Sequence, residues 1–579
     1  MRMKKKDRKL SYYFLRTAKY YKPYFVRVVL SGFLAISMSL LTLAFPFGFG
    51  KIVDELSTKR FDVAIYWIIT LVFAAFFREL LSCIGSNIYS NLNNQVLCDI
   101  RHDMFCHALL MPMAYFDHEK QGNIVSLFAS DVNAIQSVSA NAIFSLITDA
   151  LTLSTILTTL FLTNWKVASF SLIALILYVV VLRKQSSLRG LSKLSQENIA
   201  NSMAILSETL SGIRTIKLIS HESESIKTYD NNLSEWHTIN KKLVKERSIL
   251  QSVIGLITVF GPYAILALGV YYISVQELSI GVLITIYTLL GQLYAPCRNL
   301  TNLNAVLQIG VASLSRIFQF MDLPSDKSPC PKTFSLDDIH SVEFNCVAFS
   351  YYNEKSVLDN LTFSIQKGER VAIVGESGSG KSTIAELLLK LYRPVNGEIL
   401  VNGVNIQEIS TENLRQEIGI VSQDVFLFSG TVSENIKFAH PEATDEEMLQ
   451  ASRIAGADEF IQLLPNKYNS QIGDRGVQLS MGQRQRISIA RTILAKPSLI
   501  ILDEATSALD ATTQQHVQNE IEQYFCEHTC LIIAHRLNTV RRCDRILVLR
   551  DGCIIEQGSF NTLINQQGAF WELYKKESS

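Results

Sequence analysis

The stretch RVAIVGESGSGKST (residues 370–383) decides the fold of the C-terminal part of the chain. Its apolar residues Val371 to Val374 predict a buried strand, and Thr383 to Leu391 predict a helix. Between them lies a glycine-rich loop of the pattern G-x-x-x-x-G-K-S, whose backbone N–H groups can surround phosphate oxygens. A strand, a loop of this kind and a helix, in this order, predict an α/β domain of the P-loop NTPase class.

The residues of this loop predict a site for ATP and Mg²⁺. The glycines allow the backbone to curl so that its N–H groups point inward, and the start of the next helix adds a favourable dipole. Lys381 would reach the β- and γ-phosphates, and Ser382 would hold Mg²⁺. The loop residues predicted to bind ATP are Gly375, Ser377, Gly378, Gly380, Lys381, Ser382 and Thr383.

A second stretch, SLIILDE (residues 498–504), predicts a buried strand that ends in two acidic residues. Asp503 suits the coordination shell of Mg²⁺, and Glu504 would orient or deprotonate the attacking water. Taken alone, the same residues could form a strand that ends in solvated acids. Beside a phosphate-binding loop, we favour the catalytic interpretation.

The N-terminal half has the composition of a membrane protein. Of the 579 residues, 48% are hydrophobic and 18% are charged, whereas soluble domains carry roughly 25% charged residues. Six apolar runs are long enough to cross a bilayer as helices. They lie near residues 27–50, 62–83, 140–163, 165–182, 250–273 and 278–296.

The connections between these runs are unequal. The segments 84–139 and 183–247 are polar, have helical periodicity and contain almost no proline, so helices there would leave the bilayer and return. We therefore expect an α-helical membrane domain of six transmembrane helices with long cytoplasmic extensions, followed by the α/β domain. The expected boundaries are an N-terminal segment at 1–26, a membrane domain at 27–320, a linker at 321–340 and the nucleotide-binding domain at 341–579.

The distribution of basic residues predicts the orientation. Lysine and arginine are concentrated before the first run and within 183–247, which places both termini and the nucleotide-binding domain in the cytoplasm. Residues 11–24 predict an amphipathic helix in the membrane interface, with an ordinary polar leader as the alternative. A formal net charge of +1 does not suggest a nucleic-acid partner, and the ten cysteines contain no C-x-x-C pair.

Between the two nucleotide motifs stands LSMGQRQR (residues 479–486), which resembles the LSGGQ signature of ATP-binding cassette (ABC) transporters. Other motifs of that family are matched by Gln423, by SALD (residues 507–510) with Asp510, and by His535. Tyr351 matches the aromatic residue that stacks on adenine. The chain is thus similar to exporter-type half transporters, a group that includes bacterial lipid A flippases, multidrug exporters and peptide exporters.

The resemblance implies a dimer, because each ATP would lie between the loop of one cassette and the signature of another. Ser480, Gly482 and Gln483 would contact the γ-phosphate held by the partner, and Asp510 belongs to the same nucleotide site. Gln423 would sense Mg²⁺ and water, while His535 would hold the γ-phosphate and Glu504 in register. The implied partner is a second copy of the chain or a related half transporter.

The membrane half carries the same resemblance. Phe116-Asp117 followed by Asp131 is similar to the first cytoplasmic turn of these exporters, and GIRTIK (residues 212–217) is similar to a segment near the second. In the family, these turns contain short coupling helices that dock on the cassettes. The resemblance implies ATP hydrolysis coupled to transport in a multi-pass protein of the bacterial inner, or plasma, membrane.

The sequence leaves three points open. Met481 occupies a position where the family usually has glycine, and we expect a tolerated variant rather than an impaired site. The charged residues Arg78, Glu79 and Asp149 lie within spans, where they would contact a polar substrate or, in the interpretation we favour, pair with one another or sit near the interface. Lipid, amphipathic and small-peptide substrates all remain open, as do a gated channel or regulatory subunit and a membrane-tethered ATPase.

Overall fold

The computed structural model describes residues 10–119, 121–136, 144–184, 188–325, 334, 336–351, 356–473, 478–503, 524, 528–534 and 537–578. These residues form two compact units. One unit comprises Lys5–Leu109 and Glu119–Pro324, and the other comprises Leu110–His118 and Ser325–Ser579. The short segment Leu110–His118 therefore belongs to the unit that contains the nucleotide motifs, although it lies far from them in the sequence.

The first unit is built from helices. Their bounds are α1 (Leu10–Tyr21), α2 (Phe25–Ser57), α3 (Phe61–Leu109), α5 (Gln121–Ser126), α6 (Val132–Gln136), α7 (Phe144–Thr163), α8 (Trp165–Lys184), α9 (Arg189–Ser211), α10 (Ile213–Leu218), α11 (Glu222–Ser274) and α12 (Ile280–Met321), while α4 (Met113–His118) belongs to the second unit. A π-helical turn, Leu127–Asp131, joins α5 to α6.

The six predicted membrane runs overlap six of these helices, α2, α3, α7, α8, α11 and α12. Residues 140–143 of the third run lie outside the described residues, and the sixth run begins two residues before α12. Among the described residues, five helices are long and apolar enough to cross a membrane. The remaining predicted run, 165–182, lies within the 20 residues of α8. The α-helical membrane domain predicted from composition is thus confirmed.

Long continuous helices account for part of each polar segment of the membrane half, residues 84–109 in α3 and 222–247 in α11. Helix α3 has 49 residues and α11 has 53, so each is far longer than the ~20 residues that cross a bilayer. The apolar part of each helix continues without a break into its polar part. One part of each predicted extension is therefore a single helix that is continuous with its span, and the rest of each segment contains shorter helices.

Apolar side chains of four helices form the core of this unit. The buried cluster contains Ile156 and Leu160 of α7, Tyr178 of α8, Ile265 of α11 and Leu290 of α12. The Tyr178 hydroxyl donates a hydrogen bond to the backbone carbonyl of Tyr294, at 3.2 Å, and the two rings lie 5.1 Å apart. A buried phenol therefore has the acceptor that it requires in an apolar environment.

Helices α2 and α12 approach each other closely at a pair of glycines. Asp54 of α2 accepts hydrogen bonds from the Gly281 N–H at 2.8 Å and from the Ser279 hydroxyl at 2.9 Å, which satisfies the start of α12. A Cβ on Gly281 would overlap the carbonyl oxygen of Gly50. Small residues at such a crossing allow two helix backbones to pack tightly within a membrane.

Gly281→Ala is expected to destabilise the membrane unit by roughly 1–3 kcal/mol, because the added methyl group forces the two backbones apart. The matched control is Gly291→Ala on the same helix, where a Cβ would meet no atom within 4 Å. Thermal unfolding in detergent measures the effect. A midpoint lowered equally in both variants would contradict the role assigned to this crossing.

Two charged groups predicted within the spans pair with each other. Arg78 and Glu79 form an ion pair at 3.0 Å on the surface of α3. Asp149 forms no ion pair with a described residue, and one of its carboxylate oxygens is buried without a hydrogen-bond partner there. The pairing interpretation therefore fits Arg78 and Glu79 but not Asp149.

The second unit contains the nucleotide-binding domain, which is built on a mostly parallel sheet. Its strands are β1 (Ser341–Phe349), β2 (Leu358–Gln366), β3 (Arg370–Gly375), β4 (Asn396–Val401), β5 (Val404–Asn405), β6 (Ile418–Val421), β7 (Gly430–Thr431), β8 (Gln471–Ile472), β9 (Leu499–Asp503), β10 (Thr529–Ile533), β11 (Arg545–Arg550) and β12 (Cys553–Gly558). The main sheet has the order β12-β11-β3-β10-β9-β6, and a second, antiparallel sheet has the order β2-β1-β4-β5.

Helices cover this sheet. They are α13 (Lys381–Leu388), α14 (Thr411–Gln416), α15 (Val432–Lys437), α16 (Asp445–Ile454), α17 (Asp458–Gln462) and α18 (Met481–Ala495), with two further helices at Phe560–Gln566 and Ala569–Ser578. The α/β class predicted from the phosphate-binding loop is confirmed. Helix α12 ends at Met321 and β1 begins at Ser341, so the segment between them coincides with the predicted linker. The domain boundaries themselves stay a prediction.

Candidate nucleotide-binding site

The predicted phosphate-binding loop lies between a central strand and the start of α13. Strand β3 is buried between β11 and β10, both parallel to it, and ends at Gly375. Gly378 has φ +81° and Gly380 has φ +101°, so the loop turns through a backbone region that favours glycine. Helix α13 begins at Lys381, directly after this turn.

The Lys381 ammonium lies inside the loop. The residue is only 4% exposed, and its Nζ donates to the carbonyl oxygens of Gly375 and Glu376, each at 2.9 Å. A buried ammonium requires such acceptors, because an unpaired charge in the interior is costly. The Ser379 hydroxyl oxygen is also buried and has no hydrogen-bond partner among the described atoms. A cation and an unsatisfied hydroxyl in a loop at a helix start fit a phosphate group.

The loop and the acidic strand end converge at one edge of the sheet. Strand β10 pairs with both β3 and β9, and all three are parallel, so their carboxyl ends lie at the same edge. The Ser382 hydroxyl donates to a carboxylate oxygen of Asp503 at 3.3 Å. Two of the three residues predicted to hold Mg²⁺, Ser382 and Asp503, are therefore adjacent. Gln423 lies two residues beyond the end of β6, which neighbours β9.

The signature residues form the start of α18. The Ser480 side chain accepts from the Gln483 N–H at 3.3 Å, and the Gln483 side chain accepts from the Ser480 N–H at 2.9 Å, a capping box. Gly482 is buried, whereas Met481 is 49% exposed. The methionine therefore points away from the packed core, and the helix keeps its regular start despite the departure from glycine.

Comparisons with known proteins agree with this geometry. The family model described as ABC transporter transmembrane region matches residues 28–297, and the one described as ABC transporter matches residues 358–507. An ATP-dependent lipid A-core flippase of Legionella pneumophila (strain Paris) is 34% identical over 501 residues, which cover 86% of this chain and 85% of that protein. The chain belongs to the ABC transporter family.

Further relatives match almost the whole chain. An ATP-dependent lipid A-core flippase of Desulfotalea psychrophila is 31% identical and covers 96% of this chain and 97% of that protein. A solved structure of a bacterial Atm1-family ABC exporter with ATP bound is similar at a TM-score of 0.81 and 27% identity, covering 96% and 98% of the two chains. The chain is thus an ABC exporter that spans a membrane and binds ATP.

An aromatic cluster lies beside the phosphate loop of this ABC exporter. The Tyr351 ring packs edge-on against Phe349 at 4.8 Å and against Tyr392 at 5.2 Å. Its hydroxyl donates to Glu386 at 2.5 Å and lies 3.0 Å from the hydroxyl of Thr383. Tyr351 and Thr383, predicted separately as ATP-binding residues, are therefore in contact.

Buried acid and phenol groups make this cluster sensitive to charge. Burial raises the pKa of the Glu386 carboxyl, and the nearby carboxylates of Asp117 and Asp503 raise it further, although the Tyr351 hydrogen bond acts in the opposite direction. Burial also raises the pKa of the Tyr351 phenol. The cluster is thus a set of acidic groups that resists additional negative charge.

The turn that follows α3 in this ABC exporter contacts this cluster. Helix α4, Met113–His118, belongs to the same compact unit as the nucleotide-binding domain. The Tyr392 hydroxyl donates a hydrogen bond to the Asp117 carboxylate across 275 positions of sequence. The family resemblance implied that this turn forms a short helix that docks on a cassette. The position of α4 in this unit and its hydrogen bond to Tyr392 agree with that expectation. The second expected turn also contains a six-residue helix, α10.

Three predicted site residues, Glu504, Asp510 and His535, lie outside the described residues. Glu504 directly follows Asp503, the last residue of β9, and His535 comes two positions after β10 ends at Ile533. Their catalytic roles stay predictions.

Sequence reasoning missed Glu386, Tyr392 and Ser379. Glu386 stands three positions after Thr383 on α13, so helical spacing could have placed it on the Thr383 side. Tyr392 lies just beyond the end of this helix. An aromatic residue at this position does not by itself indicate which residue it contacts. Ser379 lies inside the motif at a variable position. None of these residues carries a family motif of its own.

Gly380→Ala is expected to weaken ATP binding more than Gly378→Ala does. Both variants force alanine into a positive-φ conformation, which costs about 1–2 kcal/mol. Only at residue 380 would the new Cβ also lie 2.7 Å from the Leu358 side chain, because nothing lies within 4 Å of a Cβ at residue 378. Titration with a fluorescent ATP analogue measures both affinities, and a larger loss in Gly378→Ala would contradict this account of the loop.

Tyr392→Phe is expected to loosen the turn Met113–His118, because it removes the hydroxyl that binds Asp117. Loss of a charge-assisted hydrogen bond of roughly 1.5 kcal/mol or more corresponds to about tenfold faster backbone exchange. Hydrogen–deuterium exchange of a peptide covering 110–118 provides the measurement. Tyr468→Phe is the control, since Tyr468 donates to Asp458 at 2.9 Å elsewhere in the cassette. Unchanged exchange in Tyr392→Phe would refute the contact's role.

Proposed function

We propose that two copies of this chain form an ATP-driven exporter or flippase that hydrolyses ATP between them. The observation that carries the proposal is the meeting of Lys381, Ser382 and Asp503 at one sheet edge, on a chain that also contains the apolar helices of a membrane domain. The family membership supports the same activity.

Each residue of the site has a role that its position supports. Lys381 would exchange the carbonyl acceptors of its own loop for the β- and γ-phosphate oxygens, and the Ser379 hydroxyl would gain the partner that it lacks. Ser382, Asp503 and Gln423 would hold Mg²⁺, which neutralises charge between the phosphates when it is bound. These residues would position the phosphates. The hydrolysis step itself would be carried out by other residues.

The catalytic step would use Glu504 and His535. Glu504 would accept a proton from the attacking water or orient it, as the residue directly after Asp503. His535 would hold the γ-phosphate and Glu504 in register. Tyr351, already packed among aromatic residues, would offer the face on which adenine stacks. Asp510 would complete the site near the partner.

A second copy supplies what one chain lacks. Within the described residues, the side chains of Ser480 and Gln483 hydrogen-bond only to each other's backbone, so they remain available to a phosphate held elsewhere. The turn after α10 also exposes apolar surface, with Leu218 78% and Ile219 64% exposed. Such residues are expected to be covered by a partner. A homodimer is the simplest assembly, and a related half transporter is the alternative.

A difference in ATP affinity between two states of the dimer would couple this site to transport. ATP can drive a conformational change only if it binds the closed dimer more tightly than the open one. Closure would pull on α4 through the Tyr392–Asp117 hydrogen bond and so move the helices that α4 joins. Hydrolysis would then remove the γ-phosphate that holds the signature and reset the cycle.

The proposed substrate is an amphipathic lipid, and the proposed location is a bacterial inner membrane with the cassette in the cytoplasm. Support comes from two relatives, 34% and 31% identical, that are named ATP-dependent lipid A-core flippases. Their alignments cover 86% and 96% of this chain, so each includes much of the membrane half in which a substrate would bind. Hydrophobic drugs and small peptides are the alternative substrates.

Glu504→Gln is expected to abolish turnover while ATP remains bound, because the amide cannot accept a proton but preserves the side chain's size. Loss of a general base lowers hydrolysis by about 10²–10⁴-fold. Phosphate release and retained radiolabelled ATP are measured together, with the exposed Glu408→Gln as the control. Hydrolysis that persists at the wild-type rate would refute the assigned role.

Transport itself is tested in inside-out vesicles with a fluorescent lipid analogue. The proposal requires ATP-dependent movement of the analogue against its gradient, and loss of that movement in Glu504→Gln. Passive equilibration opened by ATP would instead identify a gated channel. Stimulation of ATP hydrolysis by a panel of lipids, amphipathic compounds and peptides would then identify the substrate class.

A further inference from the structure

A cavity of about 600 Å³ lies between the start of α2 and the middle of α3, outside the nucleotide site. Its volume falls in the range of roughly 300–1,000 Å³ that is typical of small-molecule sites. On one side, the lining begins with Tyr24 and Arg27, where the basic leader meets the first span. On the other side it is formed by α3 beyond the second predicted span, from Ile88 onward. The cavity is therefore at the boundary between hydrocarbon and cytoplasm.

One cation and one carboxylate line this cavity. Arg27 donates a single side-chain hydrogen bond, to the amide oxygen of Gln95, and Asp99 accepts one from the Tyr24 hydroxyl at 3.0 Å. Neither residue forms an ion pair in the part of the chain that the structure describes. The guanidinium and the carboxylate thus keep donors and acceptors for another group, and they have opposite charges.

Amide side chains add hydrogen-bonding capacity to the same wall. Asn91 and Asn94 line the cavity together with Asp99. The Asn94 amide oxygen already accepts from the Gln136 side chain at 3.4 Å, but each amide oxygen has two lone pairs and can accept a further N–H donor. The carboxylate beside them accepts more strongly. This wall is therefore suited to a protonated primary amine, while Arg27 is suited to a phosphate.

The cavity continues into an apolar surface along α2. Leu30 and Ile88 contribute to its lining, and Phe25, Val26 and Phe33 are exposed on the same helix. Exposed aromatic and aliphatic side chains at the start of a span are expected to face acyl chains. A ligand with a polar head and a hydrocarbon tail would place its head in the cavity and its tail against the exposed apolar side chains.

We propose that this cavity binds the headgroup of a phospholipid that carries both a phosphate and a primary ammonium, as phosphatidylethanolamine does. Arg27 binds the phosphate, and Asp99 with Asn91 and Asn94 accepts the N–H groups of the ammonium. A lipid of net negative charge without an amine would face the Asp99 carboxylate. A choline headgroup offers no N–H donor to that carboxylate. The site is therefore selective for one headgroup rather than for lipid in general.

Native mass spectrometry of the detergent-solubilised exporter tests this selectivity with three probes, phosphatidylethanolamine, phosphatidylcholine and phosphatidylglycerol of equal acyl chains. The first is expected to bind severalfold more tightly than the other two. Asp99→Asn should remove this preference, whereas Arg27→Gln should weaken binding of both zwitterionic lipids. Asp103→Asn is the matched control, since Asp103 lies one turn away on α3 and accepts from Tyr20 at 2.8 Å but does not line the cavity.

A second readout requires no substitution. Cys98 lines the cavity and is exposed, so phosphatidylethanolamine should slow its alkylation by a maleimide. Cys106, exposed two turns further along α3, should react at an unchanged rate. Equal affinity for the three lipids, a preference for phosphatidylglycerol, or an equal effect of Asp99→Asn and Asp103→Asn would overturn the proposal. Neither experiment depends on ATP hydrolysis, so failure here leaves the transport function untouched.

Discussion

The cassette depends on a buried cation that is held by the backbone of its own loop. Lys381 is only 4% exposed, and its ammonium is stabilised by the carbonyl oxygens of Gly375 and Glu376. Backbone carbonyls are weaker partners than phosphate, because they carry only a partial negative charge. A nucleotide can therefore replace them with a gain in free energy. The shape of the loop, fixed by two glycines at positive φ, makes this exchange possible.

The predicted nucleotide site is connected to the turn Met113–His118 through side chains on a single compact unit. Thr383 follows directly on the residues predicted to hold phosphate, and its hydroxyl contacts Tyr351. Tyr351 bonds to Glu386 and packs on Tyr392, which in turn bonds to Asp117 of α4. Adenine stacking on Tyr351 would therefore act on a ring that packs against Tyr392, the residue bonded to the turn. Burial raises the pKa of the Glu386 carboxyl, and the carboxylates of Asp117 and Asp503 raise it further.

Much of this exporter could be predicted from its sequence because the residues of each motif are contiguous. The loop around Lys381 and the strand end at Asp503 are local patterns, and each dictates its own chemistry. Their meeting through Ser382 follows from parallel strands that end at one edge. The long helices α3 and α11 also follow from composition, since apolar and polar stretches there have the same helical period. The six-residue helices α4 and α10 were implied by the family resemblance and not by local propensity.

Contacts between distant residues could not be predicted in this way. The Tyr392–Asp117 hydrogen bond joins residues 275 positions apart, and neither residue type at its position indicates a partner. The cavity beside Arg27 likewise depends on how α2 packs against α3. Met481 was identified from the sequence as a departure from the family pattern. Its exposure follows from the capped start of α18, which the sequence alone did not reveal.

In the proposed dimer, two chains share each nucleotide. Cross-linking between the two copies tests this arrangement. Chains containing photo-methionine are mixed with ¹⁵N-labelled chains in reconstituted bilayers, and cross-links from the exposed residue 481 are identified by mass spectrometry. With ATP bound in the Glu504→Gln background, the account predicts cross-links from Met481 of one copy to the peptide that contains residues 375–383 of the other. Cross-links confined to single copies, or the same yield without ATP, would contradict it.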